Sequence, residues 1–176
     1  YAATSQQGLL IPDEKTLRIQ KQFLFKKDDK ILSLGKIFSF SDEVLWIASY
    51  RGLFTFHKIT HEVKPLIFDN CPACTVDMFV QDIYQSQSGD IWITGNEGNK
   101  AYKVDPTGKM IKRIEHDLQN EKFRVNIPFR ISEDAEGNIW FCGDAMARYN
   151  TTTGRIDKKK KKLPLQRNSK KPYYMH

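Results

Sequence analysis

Apolar and polar residues alternate over short stretches along most of this chain, and polar turn residues separate the stretches. Three stretches carry a tryptophan in the same setting: VLWIAS at 44–49, DIWITG at 90–95 and NIWFCG at 138–143. Period-two alternation bounded by Gly, Asn, Asp and Ser is typical of antiparallel strands joined by tight turns. The Trp stretches are apolar on both faces, which indicates strands packed between neighbouring sheets. The pattern predicts an all-β fold.

The three tryptophans mark an internal repeat. Trp46, Trp92 and Trp140 lie 46 and 48 residues apart, and each belongs to a unit of short apolar stretches in the same order. A repeat of about 45 residues with four strands per unit is typical of a β-propeller, in which each unit forms one blade. The three tryptophans are therefore predicted to be structural core residues that fill the wedge between adjacent blades.

The repeat also predicts where the blades begin and end. Gly8 and Leu9 align with Gly52 and Leu53, so the chain is expected to begin within a blade. About three and a half four-stranded blades are predicted, half of a seven-bladed propeller. The predicted units are residues 1–25 (the last two strands of a first blade), the whole blades 26–68, 69–115 and 116–158, and a basic tail at 159–176.

The positive charge is concentrated in that tail. Residues 155–176 contain nine Lys or Arg and one acid, Asp157, so they carry about +8, whereas the whole chain carries +7. The body is thus close to neutral, at about −1. Because no aromatic platform or recognition helix accompanies the lysine run, a solvated, poorly ordered terminus outside the propeller is favoured over a nucleic-acid or membrane patch. No nucleic-acid partner is predicted.

The sequence offers little other chemistry. Cys71 and Cys74 form a C-x-x-C, for which loop cysteines or a local disulfide are favoured over a redox pair or half of a zinc site. Cys142 is predicted to be a small buried residue, because it stands where other repeats have Ala or Thr. His57 and His61 are predicted to diverge on strands and turns, so no metal pair is expected. No phosphate loop or nucleophile motif is present; no cofactor, no metal and no catalytic residue is predicted.

The repeat units resemble a known family. The phrase ISEDAEGNIWFCGDAMARYNTTTGRI, at 131–156, is similar to the two-component regulator propeller repeat; residues 80–111 are a fair copy and residues 37–63 a looser one. The chain resembles part of the periplasmic sensor region of Bacteroides-type hybrid two-component histidine kinases. The resemblance implies two seven-bladed propellers and a β-sandwich outside the cell, joined through a membrane helix to kinase and DNA-binding domains that are not in this sequence. It also implies an extracytoplasmic, periplasmic location and, for many members, a response to oligosaccharides.

Propeller geometry indicates where a ligand would bind. Loops between the second and third strands lie on one face together with the loops between blades, and such loops commonly carry function. Amides, a carboxylate, an Arg and a Tyr suit sugar hydroxyls and ring stacking. Solvated loop residues without a ligand role remain the alternative for each position. The candidate ligand-binding residues are Gln6, Gln7, Tyr50, Arg51, Asn96, Glu97, Asn99 and Asp144, with Ser5 beside them.

Three functions are compatible with these features. The first is an oligosaccharide-responsive sensor segment that is not itself an enzyme and that regulates transcription through its parent protein. The second is a protein-interaction scaffold without a small ligand. The third is a lyase-type enzyme propeller, which needs a clustered His and acid at equivalent repeat positions. The expected partners are a possible oligosaccharide and either the remaining propeller blades or a second copy of the chain, as in a homodimer.

Overall fold

The structure is a computed structural model that describes residues 1–68, 71, 78–95, 100–115, 130–143 and 145–157. Every regular element in these ranges is a β-strand, and neighbouring strands pair antiparallel. The predicted all-β fold is confirmed. The predicted tail at 159–176 lies outside the described residues.

The described strands form four larger sheets in chain order, which we call the first to fourth blades, and one two-stranded hairpin between the first and second blades. In each blade, strands that are consecutive in sequence are neighbours in space, so the topology is a simple meander. Their bounds are: first blade, β1 Ala2–Thr4, β2 Gly8–Pro12, β3 Ile19–Phe23; a hairpin, β4 Lys26–Lys27, β5 Lys30–Ile31; second blade, β6 Leu34–Ser39, β7 Val44–Ser49, β8 Gly52–His57, β9 Val63–Pro65; third blade, β10 Val80–Gln85, β11 Ile91–Gly95, β12 Lys100–Val104, β13 Met110–Glu115; fourth blade, β14 Arg130–Glu133, β15 Ile139–Cys142, β16 Met146–Asn150, β17 Arg155–Ile156.

The first blade has three strands, whereas the sequence predicted two. The additional strand, β1, is too short to show alternation, and its pairing with β2 defines it. The Thr4 hydroxyl donates to Gly8 O at 3.0 Å, just as the Ser49 hydroxyl donates to Gly52 O at 2.9 Å at the equivalent turn of the second blade. The strand β1 is therefore the counterpart of the end of β7.

The blades stack face to face. One apolar cluster joins Leu9 of the first blade to Ile47 of the second. A second cluster joins Trp46 to Ile93 of the third blade, and further clustered residues join the third blade to the fourth. The first strands β6, β10 and β14 contact one another in succession, so they lie nearest to the common axis. This radial stacking of antiparallel meanders is a partial β-propeller.

Burial of the repeated tryptophans differs between blades. Trp46 is 2% exposed and Trp92 is 1% exposed, each covered by the following blade. Trp140 is only partly buried by the described residues, and its role as a core residue like the other two stays a prediction. Its face carries Met146, which is 56% exposed, and in the described part of the chain no further sheet packs on that face.

Cys142 shares the face of Trp140 and is also only partly buried. Within the described residues Cys142 is therefore less buried than the sequence predicted, because none of them forms a sheet over this face. Burial nonetheless raises the pKa of the Cys142 thiol. A thiol with a raised pKa is a poor nucleophile near neutral pH.

Candidate ligand-binding face

Strand direction determines which loops lie together. Because the strands in a blade run antiparallel, the turns between second and third strands lie at the same end as the segments that enter each first strand. We call this end the loop face. Its described parts are residues 5–7, 24–33, 50–51 and 78–79.

Tyr50 is wedged between the second and third blades on the loop face. Its ring is 54% exposed and meets the ring of Phe79 edge-on, with 4.2 Å between the centroids. Its backbone N–H donates to Ser33 O at 3.3 Å. Nearby, Gly52 N–H donates to Met78 O at 2.8 Å and ties the same turn to the third blade. The phenol is thus held in place while one side of its ring faces solvent.

Arg51 is held beside Tyr50 by contacts on both sides. Its guanidinium lies 3.1 Å from the Asp28 carboxylate, and its backbone N–H donates to Ser49 Oγ at 3.1 Å. Asp28 and Asp29 have φ values of 48° and 58° and form the turn of the β4–β5 hairpin. Aspartate tolerates this left-handed backbone better than most residues. The hairpin therefore delivers a carboxylate to the Arg51 turn.

Gln6 and Gln7 occupy the corresponding turn of the first blade. Gln7 N–H donates to Thr4 Oγ1 at 2.8 Å, and Gln22 Nε2 donates to Gln7 O at 2.9 Å. Both glutamines are exposed. The structure thus places these two residues and the Tyr50–Arg51 pair in equivalent turns of adjacent blades at one end of the molecule.

Four candidate residues lie outside the described residues: Asn96, Glu97, Asn99 and Asp144. They stay predictions. The structure adds two residues that sequence reasoning did not assign to this face, Asp28 and Phe79. Asp28 lies in a hairpin turn more than twenty residues before Arg51, and only its distance to the Arg51 guanidinium reveals the ion pair. No local signal identified Phe79, because its contact with Tyr50 joins two blades.

The remaining candidates for chemistry lie elsewhere. Cys71 is disulfide-bonded, and Cys74 lies outside the described residues. His57 Nε2 lies 3.4 Å from Glu43, and His61 packs against the Phe23 ring at 4.9 Å. These two histidines lie at the end opposite the loop face, in the turn between third and fourth strands.

The described ranges contain no group of three or more His, Cys, Asp or Glu positioned to hold a metal ion. Among the same residues, no helix of a length and hydropathy suited to crossing a membrane is found.

Similarity to known proteins is found through structure. No protein-family model matches the sequence, and no curated protein matches it. A domain described as the extracellular domain of the hybrid two-component system BT3049 of B. thetaiotaomicron matches with a TM-score of 0.66 and 16% identity, over 93% of this chain and 22% of that domain. The extracellular domain of BT4673 of the same organism matches with a TM-score of 0.62 and 18% identity, over 81% of this chain and 19% of that domain.

A second kind of neighbour is an enzyme. The virginiamycin B lyase of Staphylococcus aureus matches with a TM-score of 0.50 and 22% identity, over 70% of this chain and 40% of the lyase. At these identities the neighbours define the fold and nothing finer. The likeness to extracellular domains of hybrid two-component systems, expected from the repeat phrase, is confirmed at that level. This chain spans about a fifth of those domains, at 22% and 19% of their lengths.

Proposed function

We propose that this chain is an extracytoplasmic sensor segment whose loop face receives an oligosaccharide. The proposal is supported by the propeller neighbours, which are extracellular domains of two-component systems. The disulfide at Cys71 also supports it, because disulfides persist in oxidising compartments outside the cytoplasm. Control of transcription would reside in other parts of a longer parent protein.

The observation that carries the ligand proposal is the arrangement of Tyr50 and Arg51. A half-exposed aromatic residue and an arginine follow each other in one turn; the ring contacts Phe79 of the third blade, and the guanidinium contacts Asp28 of the β4–β5 hairpin. Sugar rings stack on aromatic faces, and their hydroxyls accept hydrogen bonds from guanidinium groups. Since the Tyr50 ring already rests against Phe79, less conformational entropy is lost on binding than for a free side chain. The exposed amides of Gln6 and Gln7 extend this polar surface.

The test is a saccharide titration. The protein is titrated with a panel of neutral and acidic oligosaccharides, and binding is followed by calorimetry and by the shift in Tm. Tyr50→Ala and Arg51→Ala should each weaken binding by about tenfold, as expected for loss of a stacking or charged contact. Ile59→Ala is the matched control, because Ile59 is 67% exposed in a turn at the opposite end. The proposal fails if no saccharide binds, or if Tyr50→Ala binds as tightly as the control.

A second candidate function is a protein-interaction scaffold. It is favoured by the partly open fourth-blade face, where Trp140 and Met146 lie without a covering sheet in the described residues. A sheet from a second copy of the chain, or a further blade of the parent, would bury this face. Analytical ultracentrifugation over a range of concentrations tests it: self-association that Met146→Lys weakens supports the scaffold, and a strict monomer argues against the homodimer.

The lyase alternative receives less support. It needs a histidine and an acid together near the propeller axis, whereas His57 pairs with Glu43 in an outer turn at the end away from the loop face. The segment is therefore proposed to be non-enzymatic. Absence of turnover of a streptogramin substrate is the direct check.

A further inference from the structure

Asp82 is a carboxylate buried between blades. It lies on β10, the first strand of the third blade, and its side chain is 3% exposed. A buried charge is costly unless opposite charge and hydrogen bonds compensate it. The partners of Asp82 therefore have to be strong and well placed.

Those partners come from three consecutive blades. Lys36 Nζ of the second blade lies 3.1 Å from Asp82 Oδ1. Ile83 N–H of the third blade donates to the same oxygen at 3.0 Å, and Ile131 N–H of the fourth blade donates to Asp82 Oδ2 at 3.0 Å. One carboxylate thus joins β6, β10 and β14, the three strands nearest to the axis.

The backbone explains why the side chains meet. The register of β6 shifts between Leu34 and Ile37, and that of β10 shifts between Val80 and Asp82. Such bulges bend a strand and redirect a side chain. After each register shift, Ile37 in β6 and Ile83 in β10 are regularly paired. Lys36 and Asp82 directly precede these residues, so they occupy equivalent positions in successive blades. Their opposite charges let the first strands attract each other across the blade boundary.

We infer that Asp82 is a positioning residue that couples three blades, so that a displacement of β6 is passed through its carboxylate to β14. The loop face is connected through the backbone to the strand that carries Lys36. Ser33, whose carbonyl accepts the Tyr50 N–H, directly precedes β6, the strand that carries Lys36. One backbone hydrogen bond and three residues of chain therefore connect Tyr50 to Lys36, and we call Lys36, Asp82 and Ile131 the clasp. The coupling does not depend on which ligand the loop face binds.

The clasp differs from an ordinary surface ion pair. Lys64 and Glu62 lie 2.8 Å apart with side chains that are 63% and 55% exposed, and such pairs contribute little. In the clasp, only the lysine reaches solvent, at 44% exposure, while the carboxylate is enclosed. Removal of the Lys36 ammonium would take away the cation that faces Oδ1 while the carboxylate stays enclosed, so the carboxylate would turn toward solvent or admit water. Either change weakens its bond to Ile131 N–H.

Amide hydrogen exchange measured by NMR on the intact chain tests the inference. Lys36→Met is expected to speed exchange of the Ile131 amide by about tenfold or more, although that amide lies two blades away. The amides of β12, a central strand of the third blade, should change much less, because their hydrogen bonds stay in the sheet. Lys64→Met is the matched control and should leave Ile131 within about twofold of the wild-type rate.

Asp82→Asn provides a second, independent readout. It removes the charge but keeps a hydrogen-bond acceptor, so Ile131 exchange should again accelerate. Adding Lys36→Met to Asp82→Asn should then have little further effect, because the two residues act through one interaction. The inference is overturned if Lys36→Met affects Ile131 no more than Lys64→Met does. It is also overturned if all amides accelerate equally, since that pattern reports only a global loss of stability.

Discussion

Trp92 and Trp140 hold the same position in the third and fourth blades, yet their surroundings differ. Each lies opposite a cation on the neighbouring strand, with Lys103 Nζ 5.7 Å from the Trp92 ring and Arg148 Cζ 5.8 Å from the Trp140 ring. Trp92 is sealed under the fourth blade, and its Nε1–H finds no hydrogen-bond partner among the described residues. Trp140 is partly open, and its Nε1–H donates to Asp134 Oδ2 at 2.8 Å.

The two indoles differ in hydrogen bonding because the turn before each tryptophan begins with a different residue. Asp134 and Ser86 begin equivalent turns, in which their backbone N–H groups donate to Asn138 O and Asp90 O. The Ser86 hydroxyl donates to Asp90 O at 3.0 Å instead of serving the indole. Burial of apolar surface therefore stabilises Trp92 at the closed blade boundary, even though its N–H makes no hydrogen bond within the described residues. At the more open face, polar contacts hold Trp140 in place.

The largest expected effect separates the two tryptophans. Trp92→Ala should lower the free energy of unfolding by about 3 to 5 kcal/mol, because it leaves a cavity in a closed boundary. Trp140→Ala should cost only about 1 to 2 kcal/mol, from one hydrogen bond, a cation–π contact and partial burial. Urea denaturation of both variants measures the difference. Equal losses would mean that the face of Trp140 is as closed as that of Trp92.

A smaller effect concerns the buried hydroxyl beside Trp92. Thr94 is fully buried, and in the part of the chain that the structure describes its Oγ1 meets no hydrogen-bond partner. Thr94→Val removes this unpaired group at similar volume and should raise stability by about 1 kcal/mol. Thr55→Val is the control, since Thr55 Oγ1 donates to Lys64 O at 3.3 Å and its loss should not stabilise. If Thr94→Val is destabilising, a bound water satisfies the hydroxyl.

Acid should weaken the polar contacts that hold Trp140 at the open face. Partial burial alone would raise the pKa of Asp134, but hydrogen bonds from Trp140, Asn138 and Glu136 outweigh it and hold the pKa below the usual value of 3.8. A carboxyl with a lowered folded-state pKa contributes stability above pH 3.8 and loses it as pH falls through the folded-state pKa. Tryptophan fluorescence during acid titration should change less in Asp134→Asn than in the wild type. An identical titration in both would remove Asp134 from the explanation.

The smallest effect is expected at high pH. Burial raises the pKa of Tyr84 above its usual value of 10.0, and the Glu133 carboxylate, 3.3 Å from the phenol oxygen, raises it further. Because the folded-state pKa is raised, this stability is present below pH 10.0 and lost as pH rises through the folded-state pKa. Tyr84→Phe should therefore lose less stability than the wild type between about pH 10 and pH 11. Parallel alkaline unfolding curves would contradict this.

Local patterns predicted the fold well because a blade is assembled from neighbouring segments. The tryptophan spacing, the alternation and the turns at Gly89 and Gly137, whose φ values are 88° and 78°, specify antiparallel meanders without information from distant residues. The candidate face was predicted only in part. Tyr50 and Arg51 were identified from propeller geometry, whereas Phe79 and Asp28 were not, since their contacts join separate units.

By itself the sequence determined the strand class, the order of strands in a blade and the period near 46 residues, because each depends on residues close together in the chain. The tertiary structure alone decided which tryptophan is sealed and which buried charge meets its partner. Asp82 meets Lys36 and Ile131 only because stacked blades bring three inner strands together. Burial and ion pairing depend on how the blades stack, so the identity of a residue does not reveal them until its neighbouring blade is known.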